Sequence, residues 1–404
     1  MQQAVVQEET LFGYRAAPPD ALPAFANGGD DKISVRVLSR ALGGMQKEGI
    51  VQYGPTGSVW RLVCDEGPWL LGRDLAPFPL AFFTTGMLSH FASEFATLAV
   101  REGVDVGALK IQLDNKYLMN GSAVRGTMKA DSLPSSFVVG YAGGADRDRI
   151  RDIAVLALGA SSADAVMRVP MANEFSISRN GAPIPTGELR RTAVPPEPDP
   201  MALFDVVRPD DGRLAAEDVT SKLQSAKLVH GVEGGVGSTM TDEHKRMVHV
   251  RATLTWRDDA IKETRIQIFQ PIGSVFRILS DDSARFGGQE RHPPGLALMA
   301  AGVAFCYMTQ ISRYAQVVKQ SLKTYRIVQD MRFDVPGASA GTGVAPGIAP
   351  VITHVHVETD EDEDTTRKLV QMGEQTCYLH AAMNGAFKSK VRVVHGTAGD
   401  YDDE

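Results

Sequence analysis

One offset organises this chain. Sliding the sequence by 216 residues sets Gly72 on Gly288, Pro77 on Pro293, Leu80 on Leu296, Ala81 on Ala297, Gly86 on Gly302, Ala165 on Ala381 and Met167 on Met383. A unit written twice restricts the chain to an architecture of two related halves, and a repeat of this length is sought before any local feature. The same shift sets His90 against Cys306 and Ser161 against Cys377, so one pair of thiols is present in the second copy and missing from the first.

Length and composition fit that reading. The 404 residues, 43% of them hydrophobic, suffice for two domains that each bury a core. A formal charge of −7 supplies no basic surface for phosphate backbones or acidic lipids, so neither nucleic acid nor a membrane is an expected partner. No run approaches the roughly 18 apolar residues of a membrane span, and the opening MQQAVVQEET lacks the basic start and apolar core of a secretory signal. A cytoplasmic location is the default expectation. Three cysteines in a long acidic chain do not make a secreted disulfide framework.

Residues 32–64 and 248–280 alternate apolar and polar positions around short turn signals, and each reads as a meander of about three strands. Gly57-Ser58-Val59 and Gly273-Ser274-Val275, each followed by an aromatic residue and an arginine, repeat within them. A proline-bearing loop and a long helix follow in each half, over 79–102 and 295–320, because proline in a first helical turn gives up no hydrogen bond. Further strands are expected over 108–142 and 323–358, the latter interrupted by VPGASAGTGVAPGIAP, and then a second helix near 145–167 and 361–385. Asp364 and Thr365 are candidate caps for the last helix. The halves thus span 1–190 and 246–397, with a linker at 191–245 in which proline and acids cluster and MALFDVV can dock, and an acidic tail at 398–404.

Cys306 lies part-way along the helix that contains AAGVAFC, whose small residues allow a neighbouring helix to approach closely. On the second helix Val370, Gly373, Cys377 and Ala381 fall at helical spacing, so Cys377 is expected on the apolar stripe. Either thiol alone reads as a small buried hydrophobe. Together, on two helices of one half, they read equally as a redox pair.

A strand meander, a Gly/Pro loop, a helix carrying A-A-G-x-x-x-C, more strands, and a helix carrying C-x-x-x-A resemble the OsmC/Ohr family of thiol-dependent hydroperoxide reductases. The resemblance covers most of 246–395 and, through the repeat, 30–180. It implies an α+β fold of two tandem OsmC-like domains joined as a covalent pseudo-dimer, with further homo-oligomerisation open. It implies that Cys306 attacks an organic hydroperoxide and that Cys377 resolves the resulting sulfenic acid, with an external dithiol, in that family often a lipoyl-bearing protein, as reductant. No cofactor or metal is called for. The family's hairpin arginine corresponds most nearly to Arg257, without the flanking glycines. Its loop glutamate is replaced by Gly295 or Leu296, leaving Glu290 as the carboxylate that reaches in from the loop, and Tyr378 stands where a proline follows the second cysteine. Arg40, near the counterpart of Arg257, is a candidate contribution from the first half.

Two other readings stand beside this one. An OsmC-like protein without efficient peroxidase activity would bind a small apolar ligand or sense oxidation through the same thiols. A hydrolase would use His90, Ser161 and Asp164, although no nucleophile turn or oxyanion signature accompanies them. Elsewhere, GVEGGVG at 231–237 reads as a flexible loop. His354 and His356 read as alternate positions on an exposed strand face without a third metal ligand, and Cys64 as a structural thiol at a strand end.

Overall fold

The computed structural model describes residues 13–17, 20, 22, 23, 25, 27–210, 219–226 and 245–396. The glycine-rich 231–237 and the tail 398–404 lie outside them. The first half supplies β1 (Gly13–Ala17), β2 (Lys32–Gly43), β3 (Gln46–Tyr53), β4 (Ser58–Cys64), α1 (Pro79–Arg101), β5 (Leu109–Asn120), β6 (Lys129–Ser132), β7 (Ser136–Tyr141), α2 (Arg147–Ala160), α3 (Ser162–Arg168), β8 (Asn173–Arg179) and β9 (Ala182–Ile184). The connection holds α4 (Leu203–Val206), β10 (Arg208–Pro209) and β11 (Thr220–Gln224). The second half adds β12 (Lys245–Trp256), β13 (Lys262–Gln270), β14 (Val275–Ser280), α5 (Gly295–Val318), β15 (Thr324–Asp334), β16 (Val351–Glu358), α6 (Glu363–Gln375), α7 (Tyr378–Asn384) and β17 (Lys390–His395).

The two halves exchange their meanders. One sheet runs β10-β1-β4-β3-β2-β15-β16-β8-β9 and the other β11-β14-β13-β12-β5-β7-β17. The first half's β2 therefore pairs antiparallel with the second half's β15, Ser39 opposite Ile327. The second half's β12 pairs antiparallel with the first half's β5, Ala252 opposite Leu113. Each sheet is a mixture of both copies, so a residue of one half can reach the site of the other.

Between the sheets lie α1 and α5, packed on each other at the centre of one large core. Helix α5 is long and apolar enough to cross a membrane, unlike the expectation from sequence, and here its span is entirely buried within the protein. The two helices meet backbone to backbone. A Cβ placed on Gly86 would fall 2.4 Å from the Gly295 carbonyl oxygen and 2.5 Å from the Met299 nitrogen, and one on Gly302 would fall 2.4 Å from the Phe83 nitrogen. Gly86 and Gly302 are repeat partners, as are Phe83 and Met299, so the crossing is itself two-fold.

The linker docks across the outer face of the first sheet. Phe204 on α4 is buried there with Leu38, Ile50 and Val328, beneath the Arg40 guanidinium at 4.7 Å. Glu197 and Asp199 reach the same face, accepting from Arg36 Nη2 at 2.6 Å and Arg326 Nε at 2.8 Å. This cover corrects the exposed-face reading of His354 and His356. Both are buried beneath it, and His354 Nδ1 lies 2.7 Å from Ser176 Oγ. Phe204→Ala should lower the unfolding free energy by about 3–5 kcal/mol, the usual cost of emptying a buried aromatic site. Urea denaturation measures it, and an unchanged midpoint would show that the strap lies outside the cooperative unit.

Candidate functional site

Cys306 sits midway along α5, only 2% exposed, and Cys377 is fully buried opposite it. The sequence suggests one continuous second helix with Cys377 on its apolar stripe. Instead, the helix breaks after Gln375, and Cys377 occupies the extended N-cap position of α7, with φ −75° and ψ 115°. The break re-aims the side chain, because an N-cap residue faces the unpaired amides of the next turn. Burial pushes the Cys377 thiol well up and the neighbouring Cys306 adds to it, while the His380 and Leu379 amides act in the opposite sense. The cap of α6 also differs from expectation: Asp362, two residues before Asp364, accepts from the Thr365 amide at 2.8 Å.

Both halves wall the thiols. Tyr117 of β5 stacks against Tyr378, ring centroids 5.6 Å apart, and its phenol is pushed up by burial and by the nearby Cys306. From the first meander come Lys47 and Cys64, facing pairs in β3 and β4, and Glu66 just beyond, whose carboxylate accepts from Thr309 Oγ1 at 3.0 Å. Thr309 lies one helical turn after Cys306 and Arg313 two turns after, so all three share one face of α5. Burial raises Glu66 and pushes Cys64 well above its ordinary range, with Lys47 opposing in each case.

The first half builds the same site with different atoms. Ser161 breaks its helix as Cys377 does, capping α3 by accepting from the Asp164 amide, and its hydroxyl lies 3.1 Å from His90 Nδ1. Burial, with Lys262 and Arg285 adding, pushes His90 down to about 3, so the imidazole is neutral. The triad expected by the hydrolase reading does not form, since the Asp164 carboxylate is held by Arg168 and Ser389. Beside His90, burial pushes Glu94 up to about 7. A carboxyl raised on folding binds more protons in the native state, so its penalty is absent below the unfolded pKa near 4.5 and grows until pH 7. Glu94→Gln should remove a penalty on the order of 3 kcal/mol at pH 8 and flatten the stability profile between those limits. Thermal unfolding at a series of pH values tests this, and parallel profiles would refute it.

With that geometry in hand, comparison with known proteins is informative. Residues 287–392 match the family model described as OsmC-like protein. This segment is an OsmC-like domain. Curated proteins contain no match to the chain. Two solved structures resemble part of it. An OsmC-like hydroperoxide resistance protein from Jannaschia sp. CCS1 is 20% identical over 37% of this chain and 93% of that one, with a TM-score of 0.24. An organic hydroperoxide resistance protein OsmC from Legionella pneumophila is 19% identical over 33% and 93%, with a TM-score of 0.23.

Of the four residues that the OsmC pattern suggests, the structure brings two together. Cys306 and Cys377 lie beside each other in the core, but Arg257 and Glu290 are placed elsewhere. Arg257 stands at the end of β12 beside Asp259, 3.4 Å away, in a hairpin that the meander exchange lays over α1 and the His90 site. Glu290 accepts from Thr56 Oγ1 at 2.8 Å and from Ser58 Oγ. Arg40 also points away, its Nε donating to Glu48 Oε1 at 2.6 Å on the outer sheet face. The polar side chains near the OsmC-like thiols are instead Lys47, Glu66 and Arg313. Arg313 was legible, seven residues after Cys306 on one helical face. Lys47 and Glu66 carry no local signal, because only the exchange of meanders brings them across.

Proposed function

We propose that this protein reduces organic hydroperoxides by a two-thiol cycle. The observation that carries the reading is the placement of two buried thiols beside each other, Cys306 midway along α5 and Cys377 at the N-cap of α7. Cys306 as thiolate attacks the distal peroxide oxygen, the O–O bond breaks, and the alkoxide takes a proton to leave as an alcohol. Cys306 is oxidised to a sulfenic acid. Cys377 then attacks that sulfur, expelling water and forming the disulfide. An external dithiol reopens it, becoming a disulfide itself and returning both protons.

A second reading is favoured by the near-complete burial of both sulfurs and by the placement of Arg257 and Glu290 away from them. In it the pair binds a small ligand or senses oxidation without rapid turnover. Stopped-flow consumption of cumene hydroperoxide by the reduced protein separates the two. Consumption well above that by free cysteine, with a Cys306–Cys377 disulfide found by mass spectrometry, is the expected result. Consumption no faster than free cysteine leaves the second reading.

A further inference from the structure

The two copies treat an equivalent buried lysine differently. In the first-half site Lys262 is saturated: its Nζ donates to Ser93 Oγ at 2.5 Å and Asp282 Oδ1 at 2.6 Å, with Ser89 O and Oγ at 3.3 and 3.4 Å. Lys47, one residue out of step with the 216-residue offset, takes the corresponding place by strand register, since it faces Cys64 as Lys262 faces Ser280. It is fully buried, and among the described residues its one hydrogen bond is to the Met45 carbonyl at 2.6 Å. Glu66, the counterpart of Asp282, makes no ion pair within 4.0 Å of it there.

Two more cations crowd the same carboxylate. Arg313, 5% exposed, and Arg246, 6% exposed, lie within electrostatic reach of each other and of Glu66. Arg313 leans toward the Tyr378 hydroxyl, yet neither of its terminal nitrogens makes a hydrogen bond of normal geometry among the described residues, and Arg246 Nε is likewise unmatched. Burial and the adjacent Arg246 push Arg313 down to about 10, which leaves it charged at neutral pH. Asp65 does not serve these cations, because its carboxylate accepts from the amides of Glu66, Arg73 and Leu75 and from Gln46. Buried charges persist where they are paired and hydrogen-bonded, and unmatched guanidinium donors are expensive. A neutral Cys64 thiol cannot balance them, and Cys306 is two helical turns from Arg313.

We infer that Lys47, Arg246 and Arg313 form a binding site for an oxyanion, a carboxylate or phosphate-like group, about 10 Å along α5 from Cys306. Guanidinium forks match such groups two bonds at a time. The oxyanion is either a free anion or the acid group of the hydroperoxide itself. The second source rests on the proposed function and the first does not.

The full-length reduced protein tests it in two arms. In the first, thermal unfolding is followed in sodium acetate or phosphate against sodium chloride at equal ionic strength. Specific occupancy raises the wild-type Tm by a few degrees over chloride, and Arg313→Gln loses the increment. In the second, a carboxylic-acid hydroperoxide is compared with its methyl ester. A substrate acid in the site gives the acid an advantage of at least about tenfold in kcat/KM, falling toward unity in Arg313→Gln. Stabilisation without acid preference assigns a free anion, and acid preference assigns the substrate. Neither effect in the wild-type protein overturns the site, whatever the variants do. Should no hydroperoxide be consumed, the redox reading fails while the first arm still decides this one. Arg246→Gln replaces Arg313→Gln if the latter does not fold.

Discussion

Cys306→Ser should consume cumene hydroperoxide no faster than buffer containing free cysteine, a loss of about three orders of magnitude or more, because a serine hydroxyl offers neither a thiolate nor a sulfur to oxidise. Cys377→Ser should behave differently. It should reduce one equivalent of peroxide at close to the wild-type rate and then stall, with Cys306 passing to the sulfinic and sulfonic acids, since no second thiol removes the sulfenic oxygen as water. Stopped-flow traces and intact mass after excess oxidant read both outcomes. If the two variants lose the first turnover equally, Cys377 is not the resolving residue and the assigned order of attack is wrong. The first half supplies a natural comparison: His90 and Ser161 occupy the same two places 3.1 Å apart, so similar geometry exists there without any sulfur.

Gly302→Ala should leave little or no folded protein, a larger structural effect than any surface change in the chain. Its new methyl would lie 2.4 Å from the Phe83 nitrogen and 2.9 Å from its Cα. These are backbone atoms of a helix at the centre of the core, so no side chain can rotate away and α1 must separate from α5. The cost should exceed about 4 kcal/mol, the range reserved for overpacking at a site that cannot relax. Gly86→Ala should match it, because its methyl meets Gly295 and Met299 in the mirrored contact. Gly159→Ala is the control. Its added Cβ meets nothing within 4 Å on α2, and removing a helical glycine should be neutral or stabilise by about 0.4–1 kcal/mol. Soluble yield and urea midpoints decide; a Gly302→Ala protein with a wild-type midpoint would refute the close crossing.

Much of the fold was legible because it rests on local patterns. The alternation over residues 32–64 and 248–280 produced the meanders, and the proline loops preceded α1 and α5 as proline's tolerance in a first helical turn dictates. The small residues around Gly302 announced a close helix contact without naming its partner. Other features depended on competition between local and tertiary terms. The second helix of each half carries a continuous helical pattern, yet it breaks at Ser161, which caps the next turn, and at Cys377, whose extended N-cap position turns the sulfur into the site. His354 and His356 read as exposed by alternation, but the linker covers them, a fact held in Glu197, Asp199 and Phe204 more than a hundred residues away.

By itself the sequence determined that identities recur at one fixed spacing and that only the second set of positions carries the thiol pair. It also determined which helix holds Cys306. Tertiary structure decided what surrounds them. Pairing β2 with β15 and β12 with β5 sends each meander to the other copy's helix, so Lys47 and Glu66 of the first half lie on the Cys306 side while Lys262 of the second half lies by His90 and Arg257 pairs with Asp259. Strand pairing across more than a hundred residues is set by which exchanged sheet buries the most apolar surface around α1 and α5, and that balance is a property of the whole chain that no motif contains.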